Sequence, residues 1–258
     1  MQRSFILRFL AAAILVFSGG VEARPEAPAA APVSVFAANG TVEVLEKIGE
    51  AFTRKTATLV QVTGGTSPAL ASKILSGANA DLFVSSTRGV LAQLLRTGMV
   101  NEDSSYLWAT NSLVVVAPSG TEPLRSPQEI GAARFRRVAF PNPEATVPGP
   151  FVRQALTTAG IWETIRPRMI PTQDAEKALA LLEAGEADLA IVYATEARRR
   201  SGARAVLTLP HDSHEKIPYL VVLVAHPGAS PYARSFLDFL RSPQARTLLE
   251  EAGFTPEF

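Results

Sequence analysis

Ile74-Leu75-Ser76-Gly77-Ala78-Asn79-Ala80-Asp81-Leu82-Phe83-Val84 is echoed about a hundred residues later by Leu181-Leu182-Glu183-Ala184-Gly185-Glu186-Ala187-Asp188-Leu189-Ala190-Ile191-Val192. Each copy reads as the end of a helix, a glycine stop, and an Ala-Asp-Leu lead into an apolar strand. Two copies of one junction imply two lobes built on one plan. Upstream of the first copy, residues 33–38 are an apolar run that stops at Asn39-Gly40-Thr41. Val42, Leu45, Ile48 and Phe52 then recur at helical spacing. Residues 59–63 form a second strand, broken by Gly64-Gly65-Thr66-Ser67-Pro68; Pro68 suits a first helical turn that Thr66 or Ser67 can cap. That helix runs to Gly77, and a third strand ends at Ser85-Ser86. The order β-α-β-α-β predicts a parallel sheet covered by helices.

Downstream, residues 113–117 are a purely apolar strand ended by Pro118. A second series follows: a strand at 137–140, a proline-rich loop through Pro150 and a helix to Ala159, then a short strand at 168–170. Next come a helix from about Ala175 to Glu183 and strands at 189–193 and 205–209. Residues 219–225 are expected to pair with 113–117, and helices near 231–240 and 243–252 close the chain. The fold class is therefore α/β, with two lobes, each a mostly parallel sheet flanked by helices. Residues 33–118 plus 214–258 form lobe I and 119–213 form lobe II. Two crossover segments, near 117–124 and 208–218, make a hinge that closes around a ligand.

The first 23 residues read as an export leader. Arg3 and Arg8 are followed by nine uncharged apolar residues, 9–17, and Val21-Glu22-Ala23 fits a small-x-small cleavage site. Nine residues are too few to span a bilayer as a helix. Residues 24–32 are a Pro/Ala-rich tether. The chain has no cysteine, so neither disulfides nor a lipidated cysteine are expected, and the mature protein reads as freely soluble in a periplasm. Without the leader's Arg3, Arg8 and Glu22 the formal charge falls from +1 to zero, which recommends neither nucleic acid nor an anionic membrane as partner. Arg198-Arg199-Arg200 reads as a solvated run at a helix end, complementing its dipole.

In open α/β sheets a ligand sits beyond the carboxyl ends of the strands. Those positions are Ala38-Asn39-Gly40-Thr41, Gly65-Thr66-Ser67, Ser85-Ser86, Pro148-Gly149, Gln173-Asp174-Ala175 and Tyr193-Ala194-Thr195. Hydroxyls, small residues and helix N-termini dominate, and the single charge, Asp174, reads as a helix cap. Such a set suits an anion held by neutral donors. Enzymatic readings find little support. His211 and His214 lack a third metal ligand nearby, and neither Gly-x-Ser-x-Gly nor His-Glu-x-x-His occurs. No cofactor, catalytic residue or resident metal is expected.

Val35-Phe36-Ala37-Ala38, Ala80-Asp81-Leu82-Phe83-Val84-Ser85, Asn111-Ser112-Leu113-Val114-Val115-Val116-Ala117-Pro118 and Ile191-Val192-Tyr193 resemble the periplasmic molybdate-binding proteins of ABC importers. Asp212-Ser213-His214 and Gly253-Phe254-Thr255 extend the resemblance in order to the C-terminus. It implies the two-lobed type II solute-binding fold, a monomer, and a molybdate or tungstate ligand passed to an inner-membrane permease. It also implies ligand contacts from the Ser67 and Tyr193 hydroxyls and the Ala175 N–H. The family's first-loop serine falls on Gly40, leaving Asn39 or Thr41 as stand-ins. Its proline-loop N–H falls near Pro148, which has none, leaving Gly149 or Val147. These two departures keep open a same-fold receptor for another small anion or solute. An exported enzyme or sensor on the same scaffold is the reading from a different class.

Overall fold

The computed structural model describes residues 31–200 and 202–258, so the leader and most of the tether expected at residues 1–32 lie outside the described residues. The first repeated phrase sits where it was expected. Strand β1 (Val33–Ala38) leads through a 3-10 turn into helix α1 (Val42–Thr56), then β2 (Val60–Gly65), α2 (Ser67–Leu75) and β3 (Leu82–Ser85). β1 lies between β2 and β3, parallel to both. Helix α1 forms because Leu45, Ile48 and Phe52 share one face, and that face buries them against the sheet and the C-terminal helices. Phe52 meets Phe236 and Phe239 at ring distances of 5.1 and 5.4 Å. Burying each such side chain is worth about 1.5–3 kcal/mol.

Helix α3 (Arg88–Arg96) and strand β4 (Tyr106–Asn111) complete the first half. The chain then enters a second sheet. It comprises β5 (Leu113–Pro118), β6 (Val138–Pro141), helices α4 (Gly149–Thr158) and α5 (Trp162–Ile165), β7 (Met169–Thr172) and α6 (Ala175–Glu183), followed by β8 (Leu189–Tyr193), α7 (Ala194–Ala197) and β9 (Ala203–Thr208). It returns through β10 (Ile217–Leu223), α8 (Ala233–Phe239), α9 (Pro243–Ala252) and the short β11 (Thr255–Pro256). The sheet orders are β11-β4-β10-β3-β1-β2 and β7-β6-β8-β5-β9. Both are mixed: β3-β1-β2 and β7-β6-β8 are parallel, while the strands beside the crossings, β10, β4, β5 and β9, pair antiparallel. The expectation of mostly parallel sheets therefore holds only for those three-strand halves.

One expected pairing is wrong. β10 does not pair with β5; it lies between β3 and β4, and β5 belongs to the second sheet between β8 and β9. The first crossing accordingly falls at Ser112 rather than near 117–124, while the second, from Leu209 to Ile217, lies within the expected 208–218. The cause is physical: strands buried on both faces carry no alternation, so their pattern cannot say which sheet takes them. One of the two partners of β10 is β4, a strand without a marked pattern in the sequence.

The glycines of the repeated phrase, Gly77 and Gly185, stop their helices at φ of +87° and +71°, a region closed to most side chains.

Candidate functional site

The carboxyl ends of β1, β2 and β3 meet the carboxyl end of β8 at a cavity of about 210 Å³ between the two sheets. The first half contributes Ala38, Asn39 and Gly40 after β1, Gly65 through Pro68 after β2, and Ser86 and Thr87 after β3. The second half contributes Val147, Phe151, Tyr193, Thr195 and Glu196, and the returning strand adds Ile217 and Tyr219.

Each hydroxyl there has a traceable state. Ser67 Oγ accepts the Ser86 N–H at 3.0 Å and lies 3.2 Å from Ser86 Oγ. Whichever of the two donates to the other, one hydroxyl proton of the pair is left to give to a ligand. Thr66 caps α2 by accepting the Ala69 N–H at 3.4 Å. Tyr193 is 7% exposed, and its hydroxyl has no hydrogen-bond partner among the described residues. A buried hydroxyl without a partner costs about 1–3 kcal/mol, which a ligand oxygen would recover. Burial, with Tyr219 and Glu196 nearby, pushes the Tyr193 phenol well above its ordinary range, so it remains a donor.

Of the residues expected at the site, Asn39, Gly40, Thr66, Ser67 and Tyr193 line this cavity, whereas Thr41, Pro148, Gly149 and Ala175 do not. Thr41 is fully buried and its hydroxyl donates to Ala38 O at 2.8 Å, so it is no substitute for a missing serine. Pro148 caps α4. The Gly149 N–H donates to Thr146 Oγ1 at 3.1 Å. A side chain at Gly149 would come within 2.3 Å of Asn142 O, so this glycine serves the close approach of two backbones. Val147, half a turn earlier, is the proline-loop residue that reaches the cavity. Ala175 is buried in the first turn of α6.

Asp174 caps α6 as expected, accepting the Lys177 N–H at 2.7 Å. The charge in the cavity is instead Glu196, whose carboxylate accepts the Tyr193 N–H at 3.1 Å. Burial pushes its carboxyl up to about 7, with Asp174 adding to the shift and the Tyr193 N–H and Arg199 opposing it. Its position three residues after Tyr193, in the first turn of α7, was the available signal. Arg198, Arg199 and Arg200 are not simply solvated. Arg199 Nε reaches Glu43 Oε2 at 3.3 Å across the two halves, Arg198 donates to Glu251 O, and Arg200 faces Glu176 and Glu183. Asn111 ties the first crossing to the site, donating from Nδ2 to Thr195 Oγ1 at 3.0 Å and to Tyr219 Oη at 3.4 Å. No cluster of three or more His, Cys, Asp or Glu able to hold a metal occurs among the described residues.

Residues 33–255 match the family described as bacterial extracellular solute-binding protein. The chain belongs to that family. Its function is accordingly binding and presentation of a solute outside the cytoplasm rather than catalysis, in association with a membrane transporter. The molybdate-binding protein ModA of Escherichia coli K12 is 32% identical over 229 residues, covering 86% of this chain and 88% of that protein. In structure, a substrate-binding domain assigned to a molybdenum ABC transporter of Clostridium difficile superposes with a TM-score of 0.81 at 22% identity, over 88% of this chain and all of that one. The periplasmic molybdate-binding protein of Azotobacter vinelandii superposes at 0.67 with 20% identity, over 88% and 100% respectively. This solute-binding protein thus has the two-lobed α/β architecture of those solved structures.

Proposed function

We propose that this solute-binding protein captures a tetrahedral oxyanion, molybdate or tungstate, between its two sheets and presents it to the permease of an ABC importer. The observation that carries the reading is the buried Tyr193 hydroxyl. It has no partner among the described residues and lines a cavity whose opposite wall holds the Ser67–Ser86 hydroxyl pair. Neutral donors of fixed direction, held away from water, suit a dianion without any lysine or arginine at contact. The name of the E. coli relative, at 32% identity, supports molybdate in particular. Asn39, Gly40, Thr66, Ser67 and Tyr193 are the proposed ligand-facing set, with the Val147 segment in place of Pro148 and Gly149. The crossings at Ser112 and 209–217 are the proposed hinge. A leader cleaved after Ala23, a periplasmic location and a monomeric receptor complete the reading.

Isothermal titration with molybdate, tungstate, sulfate and phosphate tests it. One-to-one binding of the first two is expected, and no heat and no thermal shift with either would sink it. A second reading, the same receptor serving another small anion, is favoured by Gly40, which lacks a hydroxyl, and Pro148, which lacks an N–H. Tighter binding of sulfate or phosphate than of molybdate would select it.

A further inference from the structure

We infer that the Tyr219 hydroxyl is a direct donor to the bound anion, supplying from the returning strand the contact that Gly40 cannot supply from the first loop. The inference rests on the oxyanion reading and names a ligand-facing group within that site. Three observations converge on it. A Cβ built on Gly40 would stand 3.3 Å from Tyr219 Oη, so the phenol oxygen occupies the space next to a side chain at position 40. Tyr219 is 4% exposed and lines the cavity together with Tyr193. Its hydroxyl proton is also uncommitted. Asn111 Oδ1 accepts the Ser112 N–H at 3.0 Å, which fixes the amide so that Nδ2 donates to Tyr219 Oη at 3.4 Å. The phenol oxygen therefore accepts from Asn111, and its own O–H has no acceptor among the described residues.

The local fold aims this side chain. Tyr219 stands opposite Ala109, and the register between β10 and β4 slips immediately after it, so that Leu220 faces Leu107. Ile217, two residues earlier on the same strand face, lines the same cavity, so alternation along β10 points both side chains there. The ring is fixed edge-on against Phe254, with centroids 5.1 Å apart. Burial, opposed by the Asn111 bond, pushes the phenol up to about 12, so it is protonated at any working pH.

The test is titration of sodium molybdate into wild type, Tyr219→Phe, and the double variant Gly40→Ser/Tyr219→Phe, each with its melting curve. Tyr219→Phe is expected to weaken binding by about ten- to a hundredfold, the loss of one donor to a buried dianion. Removing the phenol oxygen also clears the atom that would crowd a side chain at position 40. The double variant is therefore expected to recover most of the affinity, which a packing role of Tyr219 alone would not produce. A Tyr219→Phe affinity within twofold of wild type overturns the inference, as does a loss that Gly40→Ser fails to recover. Wild type that binds no molybdate overturns the oxyanion reading, and this inference with it.

Discussion

The two copies of the repeated phrase close the same backbone clasp, in surroundings that differ. In the first, Asp81 N–H donates to Ser34 O at 2.8 Å while Asp81 Oδ2 accepts the Ser34 N–H at 2.8 Å. In the second, Asp188 N–H donates to Arg137 O at 2.8 Å and Asp188 Oδ2 accepts the Arg137 N–H at 2.9 Å. Each aspartate thus fixes the start of its strand against the neighbouring parallel strand. The rest differs. Asp81 is 4% exposed, and Oδ1 meets the Ser230 N–H at 2.7 Å and His226 Nε2 at 3.1 Å, both from the segment that returns after the second crossing. Asp188 is 26% exposed and takes the Arg136 N–H and the Arg137 guanidinium instead. The strands also arrive at the cavity differently: β3 delivers Ser86 and Thr87, whereas β8 delivers Tyr193 and then Glu196. Equal backbones have been given unequal work: the covered copy anchors the C-terminal segment, and the exposed copy leads to the only ionisable carboxyl among the cavity-lining residues.

The largest effect expected from this asymmetry is on stability. Asp81→Ala would leave the part-buried Ser34 N–H, the buried Ser230 N–H and His226 Nε2 without this acceptor. Removing the charged partner of buried donors costs about 3–5 kcal/mol. A thermal melt should then fall by on the order of 10 °C for a chain of this size. A drop of only a degree or two would mean that water reaches the clasp and that burial does not separate the copies.

The cavity ends of the two strands differ through pH. Glu196 is raised by burial to about 7 against an ordinary 4.5, so the folded state keeps a proton that the unfolded chain loses. Its contribution to stability is therefore complete below about pH 4.5, declines as pH rises toward 7, and is level above that, by about 1–3 kcal/mol in all. The same carboxyl bears on the ligand. Ionised, it repels a dianion in the cavity it lines, while Arg199 on one side and Asp174 on the other modify its charge. Molybdate affinity should fall above pH 7, by at most about tenfold per pH unit. Titrations at pH 6 and 8.5 on wild type and Glu196→Gln measure this. An equally steep pH dependence in Glu196→Gln would assign the effect to another group.

How much of this was legible in the sequence depended on whether the signal was local. Glycine stops, a proline-capped helix and the Ala-Asp-Leu starts are local, and they place β1, β3, β8 and the loops carrying Asn39, Gly40, Thr66, Ser67 and Tyr193. Sheet membership is not local. β5 and β10 are apolar on both faces, so nothing in their residues says that one joins β8 and the other β4. Spacing also does not reveal a polar atom engaged inside its own turn, as with the Thr41 hydroxyl and the Gly149 N–H. Tyr219 was hidden by lying within a strand that reads as core, on the same face as Ile217, which lines the same cavity.

The smallest expected effect completes the comparison. Asp188→Ala removes an acceptor from the Arg136 and Arg137 N–H groups, but these lie near the surface, where water can take its place. Exposed ion pairs of this kind contribute about 0.2–1 kcal/mol, so the melt should fall by roughly 1–3 °C. Partial burial alone would raise the Asp188 carboxyl. The Arg136 and Arg137 N–H bonds and the Arg137 guanidinium outweigh it and hold the group below its ordinary 3.8. The stability it supplies is thus present above about pH 3.8 and is lost as pH falls through the lower folded value. The wild type and Asp188→Ala should therefore differ at pH 7 and converge in strong acid. If Asp188→Ala instead costs as much as Asp81→Ala at pH 7, then the shared backbone clasp, and not what covers it, sets the strength of both junctions.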